Sequence, residues 1–156
     1  MEYTVFTAFT EKDFAKAKNI VLQYAEFLNA DLSFQNFEAE LSGFNIMYGP
    51  PKGSMILAEI GGAAIGAVGL RFLSEGVAEM KRMFVVPKYQ GLGVGSALMV
   101  AFLEKAKVLG YRSVKLDTIP ELDQAIKLYK KFGFKNIDPY CYNPHPEAQF
   151  FELLLS

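Results

Sequence analysis

The stretch KRMFVVPKYQGLGVGSALMVAFLEKA, from Lys81 to Ala106, joins an apolar run with strand character to one with helical character through a loop holding Gly91, Gly93 and Gly95. Glycines at that density give up backbone entropy for unusual dihedrals or for close approach of another group to the main chain. A loop that runs from a strand into a helix start aims several backbone N–H groups at one point, and the helix dipole adds partial positive charge there. Its natural guest is a phosphate or pyrophosphate. A nucleoside triphosphate loop needs Lys and Ser/Thr after its last glycine, and here Ser96 and Ala97 follow Gly95, so that reading fails. A dinucleotide fingerprint matches Gly91 and Gly93, with Asp117 at the end of the next strand. Ser96 replaces its third glycine, however, PKYQ separates strand from glycines, and a meander precedes the loop.

Upstream, Tyr3–Phe9 reads as a strand, and Thr10 with Asp13 predicts a helix N-cap. Phe14, Ala17, Val21, Tyr24, Ala25 and Leu28 then recur at helical spacing. Phe34–Leu41 predicts a second, shorter helix, and Ser42–Gly53 an irregular loop. SMILAEI, Gly61-Gly62 and AAIGAVGLRF predict an antiparallel hairpin, and a strand from Val77 to Val86 extends it to a meander. Downstream, the spacing predicts a helix from about Val94 to Leu109, capped by Gly110, and a strand SVKLDT. A helix opened by a Thr118/Glu121 capping box follows, then two last strands, FKNI and FFELLL, around a loop rich in Tyr, Asn and Pro. The order β-α-α-β-β-β-α-β-α-β-β implies an α/β fold with a mixed, mostly antiparallel sheet and about four flanking helices.

At 156 residues, with 51% hydrophobic and 21% charged residues, the chain has the size and composition of one globular domain, expected over residues 1–156. A net charge of -1 gives no general pull toward nucleic acid or an anionic membrane, so a small-molecule partner is expected. Cys141 is the only cysteine, which excludes an internal disulfide and a multi-cysteine zinc site, and no His/Cys/Asp spacing suggests a metal. MEYTVFTAFTEKD lacks the features of a signal peptide, and Met55–Leu70, broken by Glu59 and glycines, is too short to span a bilayer. A cytoplasmic location is expected.

Gln90-x-x-Gly93-x-Gly95 resembles the pyrophosphate loop of the GNAT superfamily of acyl-CoA-dependent N-acyltransferases, whose pattern is Arg/Gln-x-x-Gly-x-Gly/Ala. EMKRMFVVPKYQGLGVGSAL looks like that family's fourth strand, loop and third helix, and AIKLYKKFGF like its fourth helix and the turn after it. The resemblance covers nearly the whole chain. It implies acetyl-CoA as co-substrate, with pyrophosphate on the amides of Gln90, Gly91, Leu92, Gly93, Val94, Gly95 and Ser96, and pantetheine along the backbone of Phe84, Val85 and Val86. The implied reaction is direct attack of a small metabolite's amine on the thioester. The alternative is a GNAT-like domain that binds acyl-CoA and regulates a partner without turnover.

The resemblance also implies roles. Tyr129 occupies the tyrosine of the LY-x-x-x-GF motif and is expected as general acid toward the departing thiolate, since a phenol of pKa about 10 stays protonated at neutral pH. Glu79, eleven positions ahead of Gln90, stands where histone-type members carry a general-base glutamate, or else pairs with Lys81 or Arg71. The oxyanion is expected on a strand N–H, that of Val85, where a bulge breaks the ladder. One departure is Leu122, where many members carry Asn. The acceptor is expected between Ser42–Gly53 and Tyr140–Pro146, among Tyr48, Tyr140, Tyr142 and Asn143, with Arg71 a carboxylate anchor. His145 and Cys141 read as bystanders. Homodimerisation, common in that family, is a further expectation, with FFELLL contributing.

Overall fold

The computed structural model describes residues 2–28 and 36–156. The chain opens with β1 (Thr4–Thr7) and α1 (Glu11–Leu28). The capping box at the head of α1 forms as expected: Asp13 N–H donates to Thr10 Oγ1 at 3.1 Å, while the N–H groups of Phe9 and Thr10 donate to Asp13 Oδ2. Two short helices follow, α2 (Phe37–Ser42) and α3 (Phe44–Met47). The first replaces the helix expected from Phe34, whose opening residues lie outside the described ones. The second is a turn of helix inside what reads as an irregular loop, and Phe44 and Tyr48 explain it, because both rings are buried and meet edge to face with centroids 5.0 Å apart.

The meander forms as β2 (Ser54–Ile60), β3 (Ala63–Ser74) and β4 (Val77–Val85). Gly61 and Gly62, at φ 55° and 84°, make the two-residue turn between the first two. A 3₁₀ turn at Pro87–Tyr89 leads to α4 (Val94–Val108), then β5 (Ser113–Thr118), α5 (Asp123–Lys131), β6 (Lys135–Asn136) and β7 (Gln149–Leu154). The fifth helix begins later than the expected capping box. Thr118 ends β5 instead, the N-cap position is Leu122 without a side-chain cap, and Glu121 is exposed.

One seven-stranded sheet, in the order β1-β2-β3-β4-β5-β7-β6, carries these elements, and β4–β5 is its parallel pair. The strand expected at a dimer contact, β7, lies between β5 and the short β6. One core, built on Leu98, Met99, Phe102, Val114, Leu116 and Phe151, fills the space between the sheet and α4 with α5. A second, with Phe14, Ile20, Phe44, Tyr48 and Leu57, lies under α1 and α3 on the other face.

The parallel pair positions the site. β4 and β5 are paired only from Val77↔Ser113 to Glu79↔Lys115. Beyond that, β4 runs on to Val85 while β5 stays with β7, so the sheet opens between them. No helix among the described residues is long and apolar enough to cross a membrane.

Candidate active site

The glycine loop sits at the mouth of this opening. Gly93 is the N-cap of α4 at φ 84°, and Gly91 lies at φ 79°, both in the left-handed region that disfavours a side chain. Because the Ala97 N–H is the first to find a helical acceptor, Gly93 O at 3.1 Å, the N–H groups of Val94, Gly95 and Ser96 have none, and no side chain caps them. The Val94 side chain is buried and fastens this turn to the core. A Cβ on Gly91 would meet nothing within 4 Å, so the approach to these amides is open. Gln90 plays a part in the loop itself: its Nε2 donates to the Val85 carbonyl at 2.8 Å and holds the loop against β4.

A cleft of about 700 Å³ continues from the loop along Met83, Phe84 and Val85 of β4, with α5 on its other side. Of the residues expected to hold a coenzyme, Phe84, Val85, Gln90, Gly91, Gly93, Gly95 and Ser96 line it. Val86, Leu92 and Val94 are not in its wall. Leu122 and its neighbours Asp123 and Gln124 are, so apolar surface and two polar groups stand where an Asn was missed.

Strand alternation separates the three β4 residues. The Val86 N–H is spent on Ile65 O at 2.8 Å, and the Phe84 carbonyl points at Gly66 of β3. Val85, between them, therefore turns its N–H away from β3, to the open side. The bulge lies elsewhere than expected: the β3–β4 register shifts between Ala67/Gly69, and on β4 the strained residue is Arg82 at φ 60°, three positions before Val85. Glu79 and Val85 are six residues apart, with the Arg82 bulge between them.

Tyr129 is 6% exposed and packs on Phe134 and Phe151 with ring centroids 5.8 and 6.3 Å away, behind the wall that α5 gives the cleft. Burial, with smaller contributions from Tyr24 and Asp117, pushes its phenol well above the usual range, so it keeps its proton. Tyr24 itself lines the cleft, edge-on to Phe84 at 5.7 Å, and burial raises its phenol to about 12.

At the end of the paired segment, one face of the sheet gathers charges. Glu79 is 3% exposed; its Oε1 lies 3.3 Å from Arg71 Nη1, and its Oε2 accepts from the Tyr140 hydroxyl at 2.6 Å. Asn143 Nδ2 donates to Asp117 Oδ2 at 3.0 Å, so the late loop is tied to the sheet at two points. The ligand atoms of Glu79, Asp117 and Cys141 lie within 4.8 Å of one another. Burial and the two carboxylates push the Cys141 thiol up to about 12, which keeps it protonated and a poor nucleophile. Tyr142 is 70% exposed. His145 Nε2 lies 3.0 Å from Glu121 Oε1.

Sequence reading placed Tyr48 at the acceptor site, but it is fully buried and donates to Glu40 Oε2 at 2.7 Å. Its ring occupies the space over Gly69, where a Cβ would come within 2.5 Å of it. Glu40 in turn accepts from Arg82 Nη2 at 2.7 Å and Arg82 Nε at 3.1 Å, which ties α2 to the bulge. Burial would raise the Glu40 carboxyl, and the bonds and charge of Arg82 with the Tyr48 hydroxyl outweigh it, so its pKa is lowered. Lys81, buried on the same face as Glu79, has its ammonium destabilised by burial and by Arg82. Tyr24, Met83, Glu40 and Arg82 went unnoticed in the sequence. Tyr24 is part of an apolar stripe, and a pair 42 residues apart has no local pattern.

The sequence matches the acetyltransferase (GNAT) family over residues 18–134. It is 39% identical over 147 residues to an uncharacterised N-acetyltransferase of Schizosaccharomyces pombe, covering 93% of this chain and 90% of that one. Its fold is that of a GNAT-family acetyltransferase of Staphylococcus aureus, with a TM-score of 0.82 at 20% identity over 99% and 100% of the two chains. An acetyltransferase of Salmonella typhimurium, solved with its cofactor acetyl-CoA, superimposes with a TM-score of 0.70 at 17% identity, covering 99% of this chain and 94% of that one.

Proposed function

Because the chain belongs to the acetyltransferase (GNAT) family, we propose that its cleft receives acetyl-CoA and that a small metabolite's amine attacks the thioester directly from the Glu79 face. The observation that carries this reading is one continuous cleft holding both the uncapped first turn of α4 and the outward-facing edge of Val85. The residues fit the group: free amides and open space for a pyrophosphate at one end, an unpaired strand edge for an amide-bearing arm at the other. When bound, acetyl-CoA supplies an acetyl group activated as a thioester.

The chain's own groups do the rest. Gln90 braces the loop, the N–H groups of Val94, Gly95 and Ser96 take the pyrophosphate, and the Val85 N–H aligns pantetheine. Oxyanion stabilisation falls to backbone beside the bulge and nearer Glu79, at Met83. Glu79 takes the amine proton through one water, and Tyr129 donates a proton to the departing sulfur. The whole chain, residues 1–156, acts as one catalytic domain in this reading, cytosolic and able to pair as a homodimer.

Release of free thiol from acetyl-CoA across a panel of small amines tests the proposal. Amine-dependent release, with the acetylated amine found by mass spectrometry, supports it. Tight acetyl-CoA binding with no release for any amine supports a regulatory acyl-CoA-binding domain instead.

A further inference from the structure

We infer that the acceptor is an amine that also carries a carboxylate, an amino acid, and that Arg71 is the residue that binds this carboxylate. The inference rests on the transferase reading and narrows its substrate class.

Register places Arg71 of β3, Glu79 of β4 and Lys115 of β5 in one row across the opening sheet, a carboxylate between two cations. Side chains that are direct partners share a face, so all three stand on the floor of the acceptor side. Glu79 is buried and Arg71 is not: their side chains are 4% and 35% exposed. Glu79 Oε1 meets the guanidinium at Nη1, at 3.3 Å. Among the described residues Arg71 has no other ion pair and its side chain is partly exposed, so the guanidinium keeps donors for a second carboxylate beside the one expected to receive the amine proton. Planar, bidentate capture of a carboxylate is what a guanidinium does best.

Lys115 completes the row. Its Nζ lies over the Tyr140 ring at 5.6 Å, and its cross-strand partner on β7 is Glu152. Asp117 lies within 4.8 Å of Glu79, so the positive charge open to a substrate carboxylate is that of Arg71. A plain amine leaves the guanidinium with water alone, whereas an amino acid satisfies both signs.

The alternative is that Arg71 only supports buried Glu79 as a cross-strand partner. The two roles differ in what they do to substrate preference. Steady-state kinetics on amino acids, their carboxamides and the corresponding decarboxylated amines separates them, with wild type, Arg71→Gln and Arg71→Lys. The inference predicts that wild type prefers the acids, and that Arg71→Gln lowers kcat/KM for them by about 10- to 100-fold, mainly through KM. The amides should change far less, and Arg71→Lys should restore part of the preference. An equal loss for acids and amides overturns it, because support of Glu79 affects both alike. Turnover of decarboxylated amines in preference to acids also overturns it, as does acetyl-CoA binding without turnover of any amino acid. Failure to bind acetyl-CoA in calorimetry removes the transferase reading itself, so the two failures are distinguishable.

Discussion

Tyr129 has the phenol that the family motif calls for, held in a setting that makes it a weak acid. Burial raises its pKa above that of a thiol, about 8–9, so in the proposed mechanism its contribution is a hydrogen bond and a proton offered late to a strongly basic sulfur. Tyr129→Phe should lower kcat by about 100-fold and leave acetyl-CoA affinity unchanged, read by stopped-flow and calorimetry. Full activity would pass the role to Tyr24, which lines the cleft. In the proposed mechanism Glu79 takes the amine proton. Glu79→Gln should cost about 100-fold in kcat with little change in melting temperature. A lower melting temperature with kcat intact would make Glu79 a structural partner of Arg71 and Tyr140.

Among the elements, the tie between α2 and the bulge is the contact with most at stake. Glu40 and Arg82 are each buried, and removing one leaves the other charged and unpaired. Glu40→Ala should therefore destabilise the fold by about 3–5 kcal/mol, measured by urea unfolding. Its lowered pKa sets the sign of the pH dependence. The stabilisation is full above the unfolded value of about 4.3 and disappears as pH falls through the lower folded value. The stability gap between wild type and Glu40→Gln should shrink in that acidic window. Local signals account for what was legible here. The Thr10/Asp13 box, the Gly61-Gly62 turn and the glycine loop are short-range patterns with short-range causes, and each appears at its expected place. The start of α5 was misplaced because Thr118 continues pairing with Gln149, a contact 31 residues away. The acceptor side was only half legible. Arg71 pairs with Glu79, one of the two partners expected, whereas the bonds of Tyr140 to Glu79 and Asn143 to Asp117 have no local pattern, and Tyr48 was drawn into the core by space that Gly69 leaves open.

At the scale of the whole molecule, the fold depends on one sheet that parts at its parallel pair, with separate cores on its two faces. The loop supplies amides and the opening supplies a strand edge, so a ligand that bridges them ties together α4, β4 and α5. Such a ligand should stabilise the folded state by about 2.7 kcal/mol at a hundred times its dissociation constant. Titration calorimetry with acetyl-CoA, beside CoA, NAD and ATP, tests this most directly, with Gly93→Glu as the control that places a charged side chain on a left-handed residue at the amides. The account predicts micromolar binding of acetyl-CoA, none of NAD or ATP, and loss of binding in the folded Gly93→Glu protein. Preference for NAD, or acetyl-CoA binding that survives Gly93→Glu unchanged, would contradict it.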